Sequence, residues 1–207
     1  MSSSPTYLDP IILPLLSGAT VLDVGCGYGR WGHLIQSNFW EAGLTEPPQV
    51  DGFDAFLPNV EFCSKHSCYR KVWHQVMPSP LTGTWDTVLA CEFIEHIEQK
   101  AVEEVIEILE GAAKKRVIFS TPNWPYYRGG GDTILGYNDL EAHLSYVSRD
   151  FFGRRGYTLI GAGFGNPTNL VVRAVKKLKF SWEPALQSIP RMFPKLGHSL
   201  VAYKNIT

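Results

Sequence analysis

Glu92, Glu95 and His96 stand close together near the middle of the chain, and all three can move protons or hold a cation. Their spacing, i, i+3 and i+4, places them on one side of any helical turn, so two carboxylates and an imidazole can converge on one point. A neutral imidazole oriented by a carboxylate takes the proton of a hydroxyl or amine as that atom attacks an electrophile. The same trio can instead hold a divalent cation that lowers the pKa of an acceptor hydroxyl. A third reading has no chemistry in it, only a helix start with acids near its positive end.

A second group lies in Val21-Leu22-Asp23-Val24-Gly25-Cys26-Gly27-Tyr28-Gly29-Arg30-Trp31-Gly32. Glycines permit positive φ and remove Cβ atoms, so a ligand can lie against the backbone at the carboxyl end of a strand. Gly27, Gly29 and Gly32 also satisfy the dinucleotide-binding pattern, which is weak on its own. Asp23 opposes that reading, because a carboxylate just before the turn repels a diphosphate and attracts a positive ligand end. A nicotinamide oxidoreductase is disfavoured accordingly.

These groups need a scaffold, and the apolar pattern supplies one. Short apolar runs without polar alternation at Thr20–Val24, Val50–Phe53, Thr87–Cys91 and Arg116–Phe119 read as strands covered on both faces. Helices are expected over Tyr7–Leu16, Arg30–Asn38, Pro58–His66 and Glu98–Glu110, the last with Val102, Val105, Ile106 and Leu109 on one face and Gly111 as its stop. Further strands are expected at Tyr69–His74, Tyr157–Gly161 and Ser199–Tyr203, and the segment from Val76 to Thr84 reads as too short and broken for a helix. Alternating strands and helices imply an α/β fold with a parallel sheet and helices on both faces.

With the motif Leu22-Asp23-Val24-Gly25-Cys26-Gly27-Tyr28-Gly29 in that setting, the sequence resembles the class I S-adenosylmethionine-dependent methyltransferases from about Thr20 to Phe164. The resemblance implies a Rossmann-like, doubly wound seven-stranded sheet in the order 3-2-1-4-5-7-6 and S-adenosyl-L-methionine as cofactor. It assigns the methionine and sulfonium end to Asp23 with Gly25, Cys26, Gly27 and Gly29. Asp54, with Asp51 as fallback, is assigned to the two ribose hydroxyls, a bidentate match of two carboxylate oxygens to two donors. Ala55 and Cys91 flank the same ligand. Where the family usually offers an acid near the adenine amino group this chain has Trp73-His74-Gln75-Val76, so Gln75 is the expected replacement.

The spacing Glu92-x-x-Glu95-His96 is also similar to metal-assisted members of the family, the ubiquinone-pathway O-methyltransferases and small-RNA 2′-O-methyltransferases. His143 stands about where their further histidine follows strand five. A metal on Glu92, Glu95, His96 and His143 is thus the alternative to a metal-free base. The favoured reading is a methyltransferase acting on an oxygen, less readily a nitrogen, of a small-molecule, glycan or lipid-linked acceptor. Its rivals are a non-catalytic methyltransferase-like subunit and a metal-assisted RNA 2′-O-methyltransferase.

On the acceptor side, Trp124, Tyr126 and Tyr127 precede Gly129-Gly130-Gly131. Flat aromatic faces on a loop stiffened by prolines, with a glycine tip free to move, suit an acceptor lid. Between Leu170 and Leu196 six basic residues (Arg173, Lys176, Lys177, Lys179, Arg191, Lys195) face one acid, Glu183. Within it, Asn169–Phe180 reads as an amphipathic helix, with Leu170, Val171, Ala174, Val175 and Leu178 opposite the cations, suited to peripheral contact with an anionic membrane or an acidic partner.

At 207 residues, with 44% hydrophobic and 19% charged side chains, the chain is expected to form a single domain over 1–207 carrying a basic insertion at about 165–197. A net charge of −1 gives no general attraction to nucleic acid. No apolar run is long enough to span a bilayer and the first residues lack a basic leader, so a soluble cytoplasmic protein is expected. Cys26, Cys63, Cys68 and Cys91 lack paired spacing and read as free thiols, without a zinc knot around His66.

Overall fold

The computed structural model describes residues 4–66, 69–177, 186 and 188–206. Five parallel strands come first: β1 (Thr20–Val24), β2 (Gln49–Asp54), β3 (Lys71–His74), β4 (Trp85–Cys91) and β5 (Ala113–Pro122). A hairpin, β6 (Gly131–Thr133) and β7 (Gly136–Asn138), stands apart from them. The chain then lays down β8 (Thr158–Phe164), and β9 (Gly197–Asn205) enters antiparallel between β5 and β8. The large sheet runs β3-β2-β1-β4-β5-β9-β8, the expected order once the two hairpin strands are set aside.

Alternation along each strand explains why these apolar runs have no polar face. Leu22, Val88, Ala90, Val117, Phe119, Leu200 and Ala202 point to one side, where α4 (Val102–Ala112) and α5 (Arg149–Arg154) cover them. Val21, Leu89, Ile118 and Val201 point to the other, beneath α1 (Asp9–Ile12) and α2 (Arg30–Asn38). Both faces are dry, as a parallel sheet requires. The face of α4 built from Val102, Val105, Ile106 and Leu109 is buried throughout, each side chain contributing roughly 1.5–3 kcal/mol.

Three local expectations change. Gly111 does not end α4; the helix runs through Ala112, and Ala113 turns straight into an extended conformation because it pairs with Trp85 in the sheet. The glycines after Tyr127 do not form a free tip either. Gly131 is already paired with Asn138, and a Cβ on Gly130 would lie 2.7 Å from the Asn138 carbonyl, so glycine there allows two chain segments to touch. The Tyr7–Leu16 helix is a chain of short turns around α1, interrupted by the prolines at 10 and 14.

The basic segment joins β8 to β9. Its helix α6 (Leu170–Lys177) buries Val172, while Leu170 and Val171, read as part of its apolar face, are exposed. Leu178, Lys179, Phe180, Glu183 and Cys68 lie outside the described residues. Cys26, Cys63 and Cys91 are buried free thiols. Among the described residues no helix is long and apolar enough to cross a membrane.

Candidate active site

A cavity of about 340 Å³ opens at the carboxyl ends of β1, β2 and β4. Its walls include Gly25, Cys26 and Gly27 from the turn after β1, Asp54 and Ala55 after β2, Cys91, Glu92, Glu95 and His96 after β4, and Tyr126, Glu141 and His143 after β5. Residues far apart in sequence meet here because parallel strands discharge all their following loops at one edge of the sheet.

The glycine turn is shaped by close packing. Gly25 has φ of 67°, and a Cβ there would meet the Phe93 ring at 2.6 Å. Gly29, with φ of 84°, turns the chain into α2. Arg30 opens that helix at its positive end, where a cation is electrostatically misplaced unless something anionic compensates it. One compensating group is Asp9, whose two carboxylate oxygens accept from Arg30 Nη2 at 2.6 and 2.8 Å. Arg30 Nη1 is buried with no partner, on the cavity wall.

The acids assigned to the cofactor fare differently. Asp54 is buried on the wall, with Oδ2 accepting from Gly27 N and Oδ1 from Phe56 N, both at 2.8 Å. Burial raises its pKa against these bonds. Asp23 is buried behind the wall and accepts from the Tyr69 hydroxyl; burial pushes its carboxyl up to about 7. It braces the turn from beneath and does not line the cavity, and Gly29 does not line it either. Asp51 accepts from Arg70 and from Trp85 Nε1, which makes it a structural group. Gln75 is also committed elsewhere: its Oε1 accepts from Trp73 Nε1 at 2.6 Å and its nitrogen donates to Ser79 Oγ at 3.1 Å. It does not reach the cavity.

The Glu92–His96 segment does not form the helical turn expected of it. Glu92 adopts φ of 49°, a left-handed conformation rare for a side chain with Cβ, and a short 3-10 turn follows at Ile94–His96. Glu92 therefore points away from the other two, its Oε1 accepting from Ser120 Oγ at 2.9 Å, and burial pushes its carboxyl up to about 7. Glu95 and His96 meet His143 instead: one ligating atom from each lies within 4.8 Å of the others. The two imidazoles stand edge to face, with centroids 4.9 Å apart.

Both rings are anchored the same way. His96 Nδ1 lies 3.0 Å from the Ala142 carbonyl and His143 Nδ1 lies 3.0 Å from the Tyr126 carbonyl. A carbonyl only accepts, so each Nδ1 carries the proton and, in the neutral ring, each Nε2 carries a lone pair. Burial holds both rings neutral, lowering His96 against the pull of the Ala142 carbonyl and bringing His143 down to about 4, with the neighbouring His96 adding to the latter effect. Glu95 is 2% exposed, its Oε2 has no hydrogen-bond partner, and burial raises its pKa. An orphaned carboxylate oxygen beside two imidazoles anchored through Nδ1 fits a divalent cation, with carbonyls as the outer groups that orient such ligands. Leu144 N and Ser145 N both donate to the Glu95 carbonyl, at 2.7 and 3.0 Å, and weld the two segments together.

Of the expected acceptor aromatics, Tyr126 lines the cavity and packs edge-on to His143. Trp124 lies behind it against His198, and Tyr127 is 62% exposed and off the wall. The wall also holds groups that spacing did not reveal: Arg30, Asn59, Arg128, Glu141 and His198. A cation at the start of α2 was a readable signal for Arg30, but nothing in the pattern of α3 (Leu57–His66) marks Asn59.

Residues 5–158 match a family profile described as a methyltransferase domain. The chain belongs to that family. The solved structures that this methyltransferase resembles include a SAM-dependent methyltransferase from Archaeoglobus fulgidus, 14% identical with a TM-score of 0.60, covering 96% of this chain and 91% of that one. Magnesium protoporphyrin IX methyltransferase from Synechocystis with bound SAM is 16% identical, with a TM-score of 0.55 over 97% of this chain and 76% of that one. Coclaurine N-methyltransferase bound to N-methylheliamine and SAH is 15% identical, with a TM-score of 0.56 over 95% and 72%. No curated protein matches the chain at a significant level.

Proposed function

We propose that this methyltransferase moves the methyl group of S-adenosyl-L-methionine to an oxygen, less readily a nitrogen, of a small-molecule, glycan or lipid-linked acceptor. The observation that carries this is the pair of neutral imidazoles, His96 and His143, on the same cavity as the glycine turn and Asp54. When bound, S-adenosylmethionine supplies a methyl group on a positively charged sulfur and needs no further activation. Asp54 suits the ribose, Gly25 and Gly27 give room for close approach, and Arg30 Nη1 suits the α-carboxylate.

The remaining task falls to the acceptor side, which must align a lone pair and remove one proton. The proton of the acceptor passes to an Nε2 lone pair of His96 or His143 as the new bond to carbon forms. Release of S-adenosylhomocysteine on mixing the protein with cell-extract fractions tests the reading. His96→Ala should lower that release by roughly 10²–10⁴-fold while leaving cofactor binding intact. Unchanged release from the alanine variant defeats His96 as the base.

A second reading is favoured by one observation, the orphaned Glu95 Oε2 beside the two rings. Glu95, His96 and His143 would hold a divalent cation that lowers the pKa of an acceptor hydroxyl. Glu92 drops out of the expected four ligands because of its left-handed turn. Calorimetric titration with Mn²⁺ separates the readings: tight uptake abolished by Glu95→Gln supports the metal, and no heat supports the free base. A lipid-linked acceptor is supported by the exposed Leu170 and Val171 beside Arg173 and Lys177 on α6, which suit contact with an anionic lipid surface.

A further inference from the structure

The β6–β7 hairpin belongs neither to the large sheet nor to either hydrophobic cluster. Two strands joined by three residue pairs do not hold themselves in place in water. Ile134 and Tyr137 are 75% and 58% exposed, so these side chains do not anchor it. Its ties are polar and lie at its two ends. At the base, Arg128 pairs with Glu141 at 3.2 Å, and His143 N donates to the Arg128 carbonyl at 2.9 Å. At the tip, Ile134 N donates to the Tyr28 hydroxyl at 3.1 Å. Among the described residues, this is the one hydrogen bond that joins 131–138 to a distant part of the chain.

Base and tip stand on different rims of the cavity. Arg128, Asn138, Leu140 and Glu141 line it on the β5 side, while Tyr28 sits between Gly27 and Gly29 in the turn after β1, its ring edge-on to Phe62 of α3. Only β4 separates β1 from β5, so the gap is two strand spacings, roughly 10 Å, and the arm Gly131–Ile134 reaches roughly 13 Å. The hairpin is long enough to cross the mouth. Gly129 has open space around its Cβ position and a short 3-10 turn, Asp139–Glu141, follows the other arm, so both arms end where the backbone can absorb rotation. Resting on the S-adenosylmethionine reading above, we propose that the β6–β7 hairpin is a gate over the cofactor, swung from its base and latched by the Tyr28–Ile134 hydrogen bond. Neither latch residue lines the cavity, so the bond is made in the free and the loaded protein alike. Breaking it raises the open fraction equally in both, and the cofactor enters and leaves faster with no change in affinity.

Binding kinetics test this without knowledge of the methyl acceptor. Stopped-flow mixing with S-adenosylhomocysteine, followed by tryptophan fluorescence to which Trp31 on the cavity wall contributes, gives both rate constants, and calorimetry gives Kd. Tyr28→Phe removes the hydroxyl and keeps the ring against Phe62. Ile134→Pro removes the donor from the other side, at a position without positive φ, and serves if the phenylalanine variant melts too low to measure. Each variant should speed association and dissociation together, by roughly two- to tenfold for one exposed hydrogen bond, with Kd held within about twofold. The double variant should be no faster than the faster single one, because both changes delete the same bond. Unchanged rates, or faster dissociation alone with a correspondingly weaker Kd, overturns the gate and leaves the cofactor reading standing. Absence of any binding to wild-type protein overturns the cofactor reading and the gate with it.

Discussion

Arg30 offers the sharpest single perturbation of cofactor binding. Its guanidinium is asymmetrically used: Nη2 holds both oxygens of Asp9, and Nη1 is buried on the cavity wall without a partner. A carboxylate arriving at Nη1 makes a charge-assisted bond in a poorly hydrated place, worth about 1.5–3 kcal/mol. Arg30→Met keeps most of the apolar stem and removes the donor. It should therefore weaken S-adenosylhomocysteine by about 10- to 150-fold, measured by calorimetry at fixed ionic strength. The matching control is 5′-methylthioadenosine, which has the nucleoside but no carboxylate and should bind both proteins equally. Asp9→Asn separates the ion pair from the ligand contact, because it leaves Nη1 in place. Equal weakening of both ligands by Arg30→Met, or no weakening of either, refutes the assignment.

Two other outcomes follow from charge and exposure. Burial raises Glu92 from 4.5 to about 7, so the native state holds its proton across that window and loses stability as pH rises through it. Glu92→Gln does not titrate, and its stability relative to wild type should improve by up to about 3 kcal/mol between pH 4 and pH 8, at 1.36 kcal/mol per unit; parallel urea curves at the two pH values would sink the claim. Exposed Leu170, Val171, Met192 and Phe193, with Arg173, Lys177, Arg191 and Lys195 nearby in sequence, should carry the protein down with phosphatidylglycerol vesicles but not phosphatidylcholine vesicles. Equal recovery in both supernatants would remove the lipid surface as a partner.

The sheet was legible because its signal is collective. Each strand is a run of apolar residues buried on both faces, and β1 and α2 fall within the residues that periodicity and the glycine turn marked. Single polar residues were less legible, because their roles depend on neighbours that only the fold supplies. Asp23 was expected at the ligand from its place at the end of β1; it lies off the cavity wall and accepts from the hydroxyl of Tyr69, 46 residues later. Gln75 was expected near the adenine amino group, but Trp73 and Ser79 take its amide. Helical spacing correctly grouped Glu95 with His96 and wrongly included Glu92, since the left-handed turn at Glu92 breaks the periodicity on which the grouping rested. His143 joins them because the next two residues, Leu144 and Ser145, donate backbone bonds to Glu95 from 49 and 50 residues away, a coupling invisible to any local pattern.

The entry of β9 between β5 and β8 has a consequence for biosynthesis. The Tyr7 hydroxyl is held by His198 Nδ1 and Ser199 Oγ, both at 3.0 Å, so one rim of the cavity is tied to residues about 190 positions downstream. A nascent chain that has emerged only through β8 has two strands whose common neighbour is still inside the ribosome. Such a chain has its glycine turn and both imidazoles but no closed pocket in which to use them. Ligand capture should therefore wait for β9, and a chain ended before Gly197 should give no heat with S-adenosylhomocysteine in calorimetry.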